Sequence, residues 1–310
     1  MDTLREAGTT IRNPSTANFV VDSSDRPGFP LAIANTYNNQ STNFTIQKNQ
    51  SLFNGFFTRI APTEVWLDYC LNNIAQYWKN TLFYVSLTQG PVFTYAIINL
   101  ASGSYTTESA LNSIVTLLNA SAPVIAAGGT FSLTTGVTGL AQLHYEVGGN
   151  PTNFIISSTT GTGGQLKLYA QLNFLADTWG NDFPVRCPNL LPTRYIDFVS
   201  NQVTYNQDVK DGSTALKTQD FVYRWYMAWD VPAPEDGLGY PIYQGYERFI
   251  SRRYNAFPKQ IKWNPGQPIG QVQWSLYDDG GDLIDITGGG NPALSPGDLE
   301  WSMTMLVSEN

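Results

Sequence analysis

The sequence predicts an all-β fold: a single jelly-roll sandwich with long loop insertions and one amphipathic helix. Three observations predict it. Charged residues make up only 14% of the 310 positions and aromatics 13%, against a usual charged share of about 25%. Such a chain favours the pleated, half-buried surface on which branched and aromatic side chains pack. Segment after segment alternates apolar and polar residues with a period of two, the mark of a strand with one inward face. Helical spacing stands out in only one place.

The elements follow in chain order. Residues 1–43 read as an extended N-terminal arm, punctuated by Pro14, Pro27, Gly28 and Pro30, with a short strand piece at Phe19 to Asp22. Residues 44–310 read as the jelly roll with its elaborations. Phe44 and Ile46 alternate with Thr45 and Gln47, Val65, Leu67 and Tyr69 with Trp66 and Asp68, and Phe83, Val85 and Leu87 with Tyr84 and Ser86. From Thr106 to Asn119 the pattern changes: Leu111, Ile114, Val115 and Leu118 fall at i, i+3, i+4 and i+7. Thr106 or Thr107 can cap this helix, and Glu108 lies where the helix dipole favours an acid.

Residues 120–191 are rich in Gly, Thr and Asn, and form a candidate inserted subdomain. Its expected strands are Thr130 to Leu133, Leu140 to Val147, Phe154 to Ser157 and Gln165 to Leu172, separated by glycine turns. Trp179 to Pro192 reads as a loop. Tyr195 to Tyr205 reads as one strand region, and Phe221 to Trp229 alternates throughout. A long loop over 231–270 follows. Val272, Trp274 and Leu276 lead into the Asp278-Asp279-Gly280-Gly281 turn, and Leu299, Trp301, Met303, Met305 and Val307 alternate near the C-terminus. Long connections between strands favour a Greek-key jelly roll over a meander.

Function classes can be removed in turn. A net charge of −8 argues against direct nucleic-acid readout; Arg248, Arg252 and Arg253 are the densest basic stretch and read as a solvated or interface turn. No apolar run approaches the roughly 20 residues of a membrane span. Met1 to Glu6 lacks an apolar core, so no signal peptide is expected. Cys70 and Cys187 follow no metal or redox spacing and are expected to be small buried residues. The single histidine, His144, removes most Ser-His-Asp, Cys-His and multi-histidine metal schemes. No phosphate loop, nucleophile elbow or zinc spacing is present. No catalytic, cofactor or metal residue is therefore assigned, and the chain is read as a non-enzyme.

Carboxylates offer the alternative, a carbohydrate-binding or glycosidase-type jelly roll. Asp230 with Glu235 and Asp236, or Asp278, Asp279 and Asp282, are its candidate acids. The second group can also hold calcium, although a tight turn requires the same residues. Trp263, Tyr240, Tyr243 and Tyr246 suit sugar stacking or an interface core. A trimeric receptor-binding spike subunit is a third reading.

Several phrases together resemble the vertex (penton) proteins of virophages and polinton-like viruses. Phe56-Phe57-Thr58-Arg59-Ile60-Ala61-Pro62-Thr63-Glu64-Val65 is similar to an early segment of those proteins. Ile97-Ile98-Asn99-Leu100, with Gly103, Tyr105 and the helix after it, resembles their strand, link and helix. Tyr195-Ile196-Asp197-Phe198-Val199-Ser200, with Val203-Thr204, Gln207-Asp208, Lys210-Asp211 and Ser213-Thr214, resembles a later stretch. Leu276 to Gly281 through Trp301-Ser302-Met303-Thr304-Met305-Leu306 is similar to their final hairpin. Each phrase records strand and turn chemistry; their order along the chain carries the resemblance. It implies a single vertical jelly roll of the adenovirus-like double-stranded DNA virus lineage. Five copies would plug each icosahedral fivefold vertex in the virion and contact the major capsid protein.

Overall fold

A computed structural model describes residues 16–27, 40–47, 57–89, 92–160, 166–204, 221–227, 238, 249–263, 270–286 and 299–309. The first strands are β1 (Thr16–Asp22), β2 (Asn43–Gln47), β3 (Arg59–Tyr69), β4 (Leu82–Gln89) and β5 (Val92–Asn99). Helices α1 (Thr107–Ala120) and α2 (Ala122–Ala126) follow, then β6 (Gly129–Thr135), β7 (Ala141–Val147), β8 (Asn150–Pro151) and β9 (Phe154–Ile156). After α3 (Leu168–Gln171) come β10 (Asp182–Pro184), β11 (Tyr195–Val199), α4 (Asn201–Thr204) and β12 (Phe221–Tyr226). The chain closes with β13 (Phe249–Tyr254), β14 (Ile261–Lys262), β15 (Gln271–Tyr277) and β16 (Leu299–Ser308).

Two antiparallel sheets form the sandwich. One runs β1-β16-β3-β13, with β14 also on β3, and the other runs β12-β11-β15-β2. Number the eight long-range strands β1, β2, β3, β11, β12, β13, β15 and β16 from one to eight. The sheets then read 1-8-3-6 and 2-7-4-5. That is a jelly roll: among these eight strands the chain changes sheet at every step except from β11 to β12, and its first and last strands pair. Thr16 lies opposite Ser308 and Asp22 opposite Ser302. The segment read as an arm therefore supplies a strand of the sandwich, because Val21 enters the core while Val20 stays outside.

Between the sheets lies the larger buried cluster, built on Trp78, Trp225, Trp263, Trp274 and Trp301. Trp301 sits at its centre, with ring centroids 5.5 Å from Trp274, 5.0 Å from Phe198 and 5.7 Å from Phe44. Its indole Nε1 donates to the Ser41 carbonyl at 2.8 Å, so the ring is buried without an orphaned donor. The inward set of β16 is the predicted one: Leu299, Trp301, Met303, Met305 and Val307 are all buried.

A second buried cluster lies in the connection from β3 to β11. It draws on residues from Ile74 to Leu190, and so begins well before the position 120 expected from composition. Sheet β5-β4-β9 and sheet β10-β7-β6, with β8 on β7, enclose it together with α1. Helix α1 forms as the spacing predicts and buries Ala110, Leu111, Ile114 and Leu118. Thr106 caps it: its hydroxyl accepts from Ser109 N at 3.1 Å, and Ser109 Oγ accepts from Thr106 N at 2.9 Å, so two end donors are satisfied reciprocally. The stretch before α1 is held by Asn73, which donates to the Tyr105 carbonyl and accepts from Tyr105 N.

Five local expectations differ. The long loop expected over 231–270 contains β13 and β14, because both segments find hydrogen-bonding partners along β3. The loop expected over Trp179 to Pro192 contains β10, which pairs with β7. Gln165 to Leu172, expected as a strand, contains the short helix α3, since Leu168 and Leu172 are both fully buried at i and i+4. Their apolar spacing fits either period, and the buried side decides. Tyr195 to Tyr205 stops as a strand at Val199, where the register shifts, and turns into α4. Within β12 the alternation breaks at the same irregularity: Val222 and Trp225 are buried, whereas Tyr226 is exposed. Trp229 lies outside the described residues.

Candidate interaction surfaces

Among the described residues, His144 and the acids of the Asp278 turn hold strands and segments together. His144, on β7, places Nδ1 2.7 Å from Asp182 Oδ1 on β10, opposite in register. It thus joins two strands of one sheet. Asp278 folds the predicted turn: its Oδ1 accepts from Gly280 N at 2.9 Å and Asp282 N at 2.8 Å. Gly281 takes φ +75°, a left-handed conformation that suits glycine. The three carboxylates of this turn then reach outward to cations. Lys79 Nζ lies 2.9 Å from Asp282 Oδ1, Lys167 Nζ 3.4 Å from Asp278 Oδ2, and Arg194 Nε 2.8 Å from Asp279 Oδ2. Lys79 and Lys167 belong to the β3-to-β11 connection, so the turn clasps that connection to the sandwich.

Asp230, Glu235, Asp236, Tyr240, Tyr243, Tyr246 and Arg248 lie outside the described residues. Trp263 is buried in the sandwich core at 3% exposure and presents no surface for a sugar. Cys70 and Cys187 are exposed, contrary to the expected burial. Cys70 follows the last residue of β3, where the chain leaves the core, and Cys187 sits at φ +42° in a loop. Neither position is a core position, and apolar character alone does not reveal that.

The surfaces that remain are the two flanks where the sheets end. On one flank, β13 and β12 are the outermost strands of their sheets. Ile250 and Tyr254 project outward from β13 and are 62% and 69% exposed, and Phe257 in the following loop is 94% exposed. Tyr226 on β12 is also exposed. Arg253 bridges the two strands, donating to the Tyr226 carbonyl at 2.7 Å and stacking 4.3 Å over Trp225. Arg252 pairs with Glu64 across the sheet, and this hydrogen bond raises the guanidinium above its usual range. Beside them Arg224 makes a two-point contact with Asp197 at 2.6 and 2.8 Å and stacks on Tyr195 and Phe221. The bond to Asp197 holds Arg224 above its ordinary range too, so it stays charged at any physiological pH.

The opposite flank is formed by β1 and β2. A groove of about 460 Å³ runs between them, lined by Phe19, Val20, Ile46 and Pro27, with Asp25 and Gln47 at its polar side. Its wall is stiffened by a buried pair. Arg26 donates to Glu300 at 2.6 and 2.8 Å and to the Ser23 carbonyl at 2.6 Å, while the Ser23 hydroxyl also donates to Glu300. The sequence reading overlooked this pair, because Arg26 and Glu300 are 274 positions apart.

A second depression, of about 330 Å³, lies on the outer face of sheet β5-β4-β9. Tyr84, Tyr95, Ile97 and Ile155 line it, with Ser and Thr hydroxyls and one carboxylate, Asp177.

No protein-family model matches the sequence, and no curated protein is significantly similar to it. Among solved structures the chain is similar to the selenomethionine-labelled mavirus penton protein, with a TM-score of 0.46 and 9% sequence identity, over 96% of this chain and 100% of that one.

Proposed function

We propose that this chain is a structural capsid protein that closes into a homopentamer at the fivefold vertices of an icosahedral virion. The observation that carries the reading is the jelly-roll strand order combined with exposed apolar residues on both flanks of the sandwich. Ile250, Tyr254 and Phe257 are exposed along one edge strand and the loop after it, where a neighbouring copy would cover them. The ordered sequence phrases shared with virophage and polinton-like vertex proteins support the same role. In it the protein performs no chemistry, and the assembled ring contacts the surrounding major capsid protein in the virion. The second buried cluster, drawn from Ile74 to Leu190, forms an inserted subdomain carried by the ring.

The glycosidase alternative requires two carboxylates facing each other across roughly 5–10 Å. Of the described residues lining the Tyr84–Tyr95 depression, Asp177 alone is acidic. Mass photometry of the purified protein tests the main reading. A species of five times the 34.3 kDa chain mass is expected. A monomer at every accessible concentration would sink it.

A further inference from the structure

We propose that the two opposite flanks of the sandwich recognise each other in successive copies of this chain, with Phe257 of one copy seated in the β1/β2 groove of the next. The inference rests on the ring reading above and specifies which surfaces close the ring.

The Phe257 loop is a built projection. It interrupts the pairing on β3, since β13 ends opposite Glu64 and β14 resumes opposite Ile60. Its entry is fixed by Asn255, whose N–H donates to the Thr63 carbonyl at 2.8 Å and whose Oδ1 accepts from Phe257 N at 3.3 Å. Its exit is fixed by Lys259, whose Nζ donates to the Phe221 carbonyl at 2.8 Å and lies 4.4 Å over that ring. The phenyl ring is therefore held out in water by a loop anchored to both sheets. Preorganisation of this kind lowers the entropy lost on docking.

The groove answers it in shape and charge. It offers Phe19, Val20 and Ile46 to a ring, within about 460 Å³. The projecting flank carries Arg252, Arg253 and Lys259, offset by Glu64. The groove flank carries Asp22 and exposed Asp25, and its one described arginine, Arg26, is spent on Glu300. Opposite potentials on the two flanks orient the encounter and penalise like-to-like pairing. Projection and groove also sit at opposite ends of the sheet order. A patch that meets a different patch gives a head-to-tail contact, which yields a ring where the rotation between copies closes, and not a twofold dimer.

The test uses two full-length variants, Phe257→Asp and Val20→Asp. Both positions are exposed, so each variant is expected to keep the wild-type circular dichroism and to melt cooperatively, at a lower temperature only by the stabilisation that assembly supplies. Each alone should be monomeric, with the association constant reduced about a hundredfold or more. Mixed in equal amounts they should form a one-to-one dimer that does not grow, because only one productive contact survives per pair. Asp25→Lys should weaken the wild-type ring about tenfold, and raised salt should shrink that difference. A wild-type pentamer that persists in both single variants would overturn the flank pairing and leave the ring reading intact. Monomeric variants that give no dimer on mixing would also overturn it. A monomeric wild type would overturn both.

Discussion

The two buried clusters are made from the same alphabet in different ways. The sandwich core joins residues from the ends of the chain: Val21 and Val307 share it with Trp225 and Trp274. Five tryptophans fill it. The second cluster uses Phe, Leu and Ile from one continuous stretch, with no tryptophan among its buried members, and adds an amphipathic helix. The difference teaches where cooperativity comes from. A core whose walls are first and last strands cannot form until the whole chain has closed on itself, and its loop-closure cost falls due before any reward. A cluster of neighbours in sequence can form earlier and open separately. The junction between them is narrow: Leu71, Tyr77 and Trp78 pack in the sandwich core, while Ile74 packs in the inserted one.

This contrast can be broken by experiment. The largest effect is expected for Trp301→Asp, which places an unpaired charge at a fully buried position. Soluble folded protein should be lost altogether; a normal melting curve would show that the inward face of β16 has been misassigned. Leu111→Ala in α1 removes a fully buried side chain from the second cluster and should cost about 2–5 kcal/mol there. Hydrogen exchange should speed up in β5, β6 and α1 while β3 and β16 keep their protection. Equal acceleration everywhere would mean the clusters unfold as one. Thr106→Ala deletes the cap of α1 and should cost about 1 kcal/mol, read by chemical denaturation. Lys79→Ala loosens the clasp to Asp282, whose partners are 62% and 42% exposed. Solvent screening limits this effect to below about 1 kcal/mol, and it should fade further in salt. A larger loss would show that the clasp governs how the second cluster is held.

How far the sequence reaches can be seen in particular residues. The β16 alternation, the α1 spacing with its Thr106 cap and the Asp278 turn were each legible, because strand period, helix period and turn hydrogen bonding are local. His144 was legible as the single histidine of an expected strand, though not its partner Asp182. Gln165 to Leu172 was not legible, since Leu168 and Leu172, four apart, fit either period, and only their burial in the second cluster selects the helix. Nor was the exposure of Cys70, which depends on where β3 leaves the sheet.

By itself, then, the sequence determined that the chain is a strand-rich sandwich with one capped helix, poor in the groups that chemistry needs. It could not say that Thr16–Asp22 pairs with β16, that Arg26 is buried against Glu300, or that Phe257 and the β1/β2 groove lie at opposite flanks. Those are relations between residues some 210 to 290 positions apart, as Phe19 opposite Met305 illustrates. Period and propensity act over a turn or a strand, whereas strand order is decided by which faces bury together when the whole chain closes.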